Sequence, residues 1–140
     1  MVTIATRDRH RWFALHPKLA DQATSLVVDL AQQRQAGLYA WCLMPDHVHL
    51  LLQDEDLVEF VRCFKGKLVP AARAIKSTRR LWQRSFHDHA LRTDEDLIQA
   101  AVYVWENPVR AGLVAEAQLY PWNGSSVWPS WRDGLREGRL

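Results

Sequence analysis

Two histidines stand either side of a valine in His47-Val48-His49, at the head of the apolar run Val48-His49-Leu50-Leu51-Leu52. Alternate side chains of a strand point to one face, so both imidazoles share a side of the sheet. Neighbouring imidazoles on one face can clamp a divalent ion. The competing reading is a pair of polar residues satisfied by hydrogen bonds. The apolar setting asks for partners or a task, because basic rings are costly to bury without either. Far downstream, Tyr103 and Asn107 lie four residues apart, which puts them on one face of a helix. From there they could point along the sheet towards a histidine pair. Each also has an ordinary role: an amphipathic anchor for Tyr103, and a helix C-cap for Asn107, favoured by the following Pro108. A second pair, in Phe86-His87-Asp88-His89, competes for the metal role. Its three consecutive polar residues suit an exposed strand end better than a cage.

The elements that must hold these residues follow from spacing. Val2 to Thr6 is short and β-branched and reads as a strand. His16-Pro17 opens a helix with Leu19, Ala23, Leu26, Val27 and Leu30 at helical spacing and Gly37 as its stop. Leu38 to Met44 and His47 to Gln53 read as strands joined in a hairpin at Pro45-Asp46. Leu57, Phe60, Val61, Phe64, Leu68 and Ile75 form the stripe of a second helix, which Pro70 should kink or interrupt. Leu81 to Arg92 is the fourth expected strand. Thr93-Asp94-Glu95-Asp96 then starts a third helix that runs to about Asn107 and ends near Pro108. Leu97, Ala100, Ala101 and Val104 are its buried stripe, with Tyr103 and Asn107 on one shoulder. The order predicts an α+β fold: a ferredoxin-like antiparallel sheet, βαββαβ, with an additional C-terminal helix carrying the tyrosine. The two crossover helices should cover one sheet face and the third helix the other. Residues 1–140 read as one domain, with an irregular Trp- and Pro-rich tail from about 113.

Net charge is only +2, but its distribution is uneven. Phe60 to His87 holds no acid and carries Arg62, Lys65, Lys67, Arg73, Lys76, Arg79, Arg80 and Arg84. Such a segment suits a phosphate-binding face, with a solvated helix surface as the plain alternative. The seven tryptophans supply both packing and stacking faces; most are expected in the core or at its rim. Cys42 and Cys63 form no CxxC pair and read as buried thiols of a reducing compartment. No run is long enough to cross a membrane and the first residues lack a signal-peptide layout, so a cytoplasmic protein, monomer or homodimer, is expected.

Leu43-Met44-Pro45-Asp46-His47-Val48-His49-Leu50-Leu51, with Tyr103-Val104-Trp105-Glu106-Asn107-Pro108-Val109-Arg110-Ala111-Gly112-Leu113-Val114 downstream, resembles the HUH single-tyrosine transposases, most closely their REP-associated branch (IS200-like). The likeness runs from the first strand through Tyr120-Pro121-Trp122, with Trp82-Gln83-Arg84 between the motifs. Many REP-associated members carry a basic arm before the first strand; this sequence begins almost at that strand. The resemblance implies a ferredoxin-like palm, Mg²⁺ or Mn²⁺ on His47 and His49, Tyr103 as nucleophile, Asn107 as third ligand, and hairpin-bearing single-stranded DNA as substrate. The chemistry is self-consistent. A tyrosine hydroxyl is a weak nucleophile at neutral pH, and a divalent ion on the phosphate offsets the developing charge. Two imidazoles and an amide oxygen leave positions open for phosphate and water oxygens, although histidines alone would also take zinc. A rolling-circle replication initiator and a non-catalytic DNA-hairpin-binding descendant are the alternative readings.

Overall fold

The computed structural model describes residues 1–75, 78–91 and 96–138. Strand β1 (Val2–Ala5) is followed by a 3₁₀ turn at Arg7–Arg9, a short helix α1 (Trp12–Leu15) and α2 (Pro17–Gln33). Then come β2 (Gly37–Met44), β3 (His47–Gln53), α3 (Leu57–Arg73), β4 (His87–Asp88), α4 (Leu97–Trp105), α5 (Asn107–Arg110), a 3₁₀ turn at Ala117–Leu119, β5 (Asn123–Gly124) and α6 (Trp131–Arg136). The sheet order is β4-β1-β3-β2-β5, and the pairings are antiparallel. The first four strands and their crossover helices are the expected ferredoxin-like pattern, and α4 is the added helix with the tyrosine.

Each sheet face has its own core. Val2, Ile4, Leu43, Val48 and Leu50 meet Leu19, Val27, Phe60, Phe64 and Leu68 of α2 and α3. Ala40, Cys42, Met44 and Leu51 meet Ala101, Val104 and Trp105 of α4 on the opposite face. In β3 the period of two therefore sends Val48 and Leu50 one way and His47, His49 and Leu51 towards the α4 side. A register shift between Leu38 and Ala40 moves β2 onto the same alternation.

Several expectations change in detail. The first long helix stops at Gln35, not Gly37. Gln35 takes the left-handed conformation (φ 54°), and the amide of Ala36 bonds the carbonyl of Ala31 at 2.8 Å, the Schellman pattern. Gly37 opens β2 instead. Pro70 does not interrupt α3, which runs through it to Arg73. The fourth strand is only His87–Asp88, because the chain meets β1 twice out of step. Thr6 pairs with Trp82 and Thr3 with His87, so two more residues lie on the outer chain than on β1 and bulge away from the ladder. The expected helix start at Thr93 lies outside the described residues; α4 begins at Leu97, capped by the Asp96 carboxylate, which accepts from Ile98 N and Gln99 N. The tail carries three short regular pieces, Ala117–Leu119, β5 and α6, and it packs tightly. Gly124 lies so close under the Trp41 ring that a Cβ there would overlap it, and Trp131 stacks on Trp105 at 4.5 Å. Trp12, Trp41, Trp82, Trp105 and Trp131 are buried, and Trp122 and Trp128 are half-buried. The tryptophans are core and rim residues, and none is fully exposed for a base to stack on.

Candidate active site

The hairpin turn at Pro45-Asp46 sets His47 at the mouth of the sheet, with His49 one pleat deeper. Their rings meet edge to face, centroids 4.7 Å apart. Each ring has its Nδ1 engaged. His47 Nδ1 lies 2.6 Å from Asp46 Oδ1, and a carboxylate only accepts, so Nδ1 carries the hydrogen and Nε2 keeps a free lone pair. Arg9 fastens the same carboxylate through Nε at 3.0 Å. Its longer 3.4 Å approach to His47 Nδ1 is secondary to that ion pair. His49 Nδ1 lies 3.1 Å from Thr3 Oγ1, directly across the ladder. Fixing one ring nitrogen so that the other can ligate is how proteins orient metal-binding histidines.

Electrostatics keep the pair unprotonated. Burial lowers the His47 pKa, against the pull of Asp46. Burial, then the charge of His47, then Arg110 and Arg9, bring His49 down to about 4. Burial works to raise the Asp46 carboxyl, but the bonds from His47 and Arg9 outweigh it and hold it below the ordinary carboxylate range. The result is two neutral imidazoles and one anion at neutral pH, the form a cation needs.

Helix α4 packs on the face that carries both histidines, and α5 continues from it against β2. Tyr103 is 53 % exposed on α4. Asn107 is the first residue of α5 rather than the cap of α4, because Pro108 follows it and Glu106 makes the break. Its Nδ2 is buried and has no hydrogen-bond partner among the described residues. The two ends of an amide are exchangeable by a flip, so one end of this amide is a buried polar atom without a partner among the described residues, of the kind an additional ligand would complete. No three His, Cys, Asp or Glu side chains cluster for a metal among the described residues. A cation here would rest on two imidazoles and the Asn107 amide, with the remaining positions open. The donor set fits Mg²⁺ or Mn²⁺ only with further oxygens from substrate or water.

His87 and His89 are exposed at the sheet edge. The backbone of His89 bonds Met1 in both directions, its amide at 2.8 Å and its carbonyl at 2.7 Å. His89 also lines an open cavity of about 750 Å³ beside Met1, Gln99 and Tyr103. The basic segment divides. Arg62 is paired with Glu59 at 2.5 Å, and the Lys65 ammonium holds the carbonyls of Gln83 and Arg84. Lys67 and Arg73 are exposed on α3, and Lys76 lies outside the described residues. Arg79, Arg80 and Arg84 converge with Arg7, Asp8 and Thr78 on an open cavity of about 680 Å³. Sequence reasoning missed Arg7, Arg9, Asp46, Thr3 and Arg110. Only Asp46 and Arg110 had a signal, as members of the motifs around His47 and Asn107.

Fold and site together define an α+β domain with helices on both faces of one antiparallel sheet, which sets a tyrosine helix against a histidine pair. A sequence model of the family described as "Transposase IS200 like" matches residues 1–106, and the chain belongs to that family. That span includes His47, His49 and Tyr103 and stops one residue before Asn107. A Haemophilus influenzae protein provisionally named a REP-associated tyrosine transposase is 31 % identical over 98 residues, covering 60 % of this chain and 56 % of its own. The REP-associated tyrosine transposase of Escherichia coli K12 is 25 % identical over 101 residues, covering 69 % and 59 %. The chain thus spans somewhat over half the length of these curated relatives. A solved REP-associated tyrosine transposase bound to a REP hairpin shares the fold, with a TM-score of 0.71 at 21 % identity, over 99 % of this chain and 79 % of the other. Among the described residues no helix is long and apolar enough to cross a membrane.

Proposed function

We propose that this chain is a metal-dependent single-stranded DNA endonuclease and strand transferase that works through a covalent tyrosine link. The observation that carries the reading is a pair of neutral imidazoles, each fixed through Nδ1, on the sheet face under α4 with its exposed Tyr103 and beside α5, whose Asn107 has a buried Nδ2 without a partner among the described residues. His47, His49 and Asn107 would hold Mg²⁺ or Mn²⁺, which would stabilise charge developing on the scissile phosphate.

The chain's own residues supply the rest. Tyr103 Oη loses its proton to solvent and bonds to phosphorus; the P–O3′ bond breaks and O3′ takes a proton. The products are a 5′-phosphotyrosine and a free 3′-hydroxyl, and the phosphoester count is unchanged, so a second 3′-hydroxyl can reverse the exchange on a new end. The arginines around the Arg7–Arg84 cavity would hold backbone phosphates. The solved relative that binds a REP hairpin supports hairpin-bearing single strands as the substrate class.

The test is a denaturing gel of the protein with labelled hairpin-bearing single strands and Mn²⁺. A covalent adduct that disappears in Tyr103→Phe is expected. Tight hairpin binding without any adduct would identify a non-catalytic DNA-binding descendant instead.

A further inference from the structure

Arg110 is not used by the reaction as written above, yet its side chain reaches back to the nucleophile. Its guanidinium carbon lies 3.9 Å from the centroid of the Tyr103 ring. Its Nη2 donates to the backbone carbonyl of Tyr103 at 2.6 Å. That carbonyl belongs to the last turn of α4, where the helix leaves carbonyls without an amide partner. Capping a carbonyl needs one donor, and a lysine would provide it; a guanidinium over the ring adds cation–π attraction across its planar face.

The local sequence explains how it gets there. Pro108 sets the first turn of α5, and Gly112 (φ 75°) ends it in the left-handed conformation. Arg110 therefore sits on a single rigid turn, seven residues after Tyr103, and folds back along the α4 surface. Tyr103 is half-exposed, and an exposed tyrosine turns freely about two torsions. Attack on phosphorus needs one direction, and a nucleophile held in that direction reacts far faster than one that samples many.

We propose that Arg110 is a positioning residue for Tyr103, whose guanidinium clamps the phenol ring in its attacking orientation. The proposal rests on the transferase reading. Its first test needs no reaction: in NMR spectra the Arg110 side-chain protons should be shifted upfield by the ring, and the shift should vanish in Tyr103→Leu. Its second test is single-turnover adduct formation on a labelled single strand at saturating DNA and Mn²⁺. Arg110→Ala should slow the step by about a hundredfold, the size expected of a misplaced reacting group, with little change in DNA affinity. Guanidinium chloride at tens of millimolar should restore part of the rate where equal sodium chloride does not, and Arg110→Lys should fall between. An Arg110→Ala protein with unchanged rate, or one whose loss is matched by lost affinity, would overturn the clamp, as would an absent ring shift. If the unaltered chain forms no adduct, the transferase reading fails and the reaction role goes with it, while the NMR shift still shows whether the stack exists.

Discussion

Three tyrosines carry hydroxyls, and their surroundings separate them. Tyr120 donates to the carbonyl of Leu43 at 2.5 Å inside the second core, where burial pushes its pKa upward. Tyr39 donates to Gln53 Oε1 at 3.2 Å. Tyr103 stands half-exposed under an arginine. Replacement by Phe should therefore abolish the covalent adduct at Tyr103 alone, with DNA binding kept. Tyr120→Phe should cost about 1 kcal/mol or more of stability through a lost buried hydrogen bond and still form adduct. Loss of adduct in Tyr120→Phe at a temperature where it remains folded would move the chemistry elsewhere. At the histidines, Mn²⁺ should raise the melting temperature of the unaltered chain and leave the His47→Ala, His49→Ala double variant unmoved. A His87→Ala, His89→Ala double variant should behave like the unaltered chain; the reverse pattern would exchange the two pairs. Acid gives an independent reading of the same ring. His49 titrates at about 4 in the folded chain against 6.5 for the free group, mainly because it is buried. Between those values the unfolded chain takes up a proton that the folded chain refuses, so stability is whole above the upper value and drains away as pH falls towards the lower. In EDTA, the melting temperature of His49→Gln should fall less steeply across that window than that of the unaltered chain. Parallel slopes would show that the ring is not held neutral.

At the scale of elements, what was legible in the sequence is what periodicity encodes. The HxH pair on one strand face, the tyrosine on the shoulder of α4 and the two crossover helices all follow from periods of two and of about 3.6. What escaped depends on contacts between segments distant in the chain. The shortness of β4 comes from the mismatch between the Thr6–Trp82 and Thr3–His87 pairings, which no local pattern announces. β5 escaped because a strand of two residues, Asn123–Gly124, has no period to read. Its place is set by Trp105 Nε1 donating to Gly124 O at 2.8 Å and by Asn123 Nδ2 donating to Trp105 O and Ala117 O. Arg9 escaped for the same reason: its partner Asp46 is distant in sequence. The tail is therefore part of the support under α4, and it can be tested there. Gly124→Ala would drive a methyl into the Trp41 ring, an overpacking that costs roughly 1–3 kcal/mol. The melting temperature should drop accordingly, and adduct formation should weaken near that temperature because α4 loses its footing. A variant as stable as the parent would mean that Trp41 moves aside and that β5 does not fix the helix.

Across the whole molecule the question is where the nucleic acid runs. A net charge of +2 is too small to steer a strand by itself, so the path depends on where the cations gather. Arg62 is already joined to Glu59 through both Nε and Nη2. Lys65 spends its ammonium on two carbonyls of the Gln83-Arg84 segment, and burial lowers its pKa. Arg62 is answered within its own helix, and Lys65 ties α3 to the Gln83-Arg84 segment. Arg79, Arg80 and Arg84 instead gather with Arg7 around one open cavity in which Asp8 is the sole acid among the described lining residues. Like charges drawn together repel unless an anion relieves them, and a polyanion does so along its length. The 3₁₀ turn at Arg7–Arg9 links this cavity to the histidine pair, since Arg7 lines the cavity while Arg9 grips Asp46 beside His47. Its Asp8 and Arg9 both have positive φ, 56° and 55°, a conformation that non-glycine residues adopt at a cost. A strand lying in the cavity would continue towards the histidine pair. The salt dependence of binding counts the phosphates involved. Each neutralised contact should lower the slope of log affinity against log salt by about 0.7 for a single strand and about 0.9 for a duplex stem. Replacing Arg79, Arg80 and Arg84 by Gln should therefore flatten the slope by roughly two to three units. Replacing Arg62 alone should change it little, because its charge is already answered by Glu59. Fluorescence anisotropy with a labelled hairpin across a salt series measures both. If the triple variant kept the parental slope while the Arg62 variant lost a unit, the DNA would run along α3 and not through the arginine cavity.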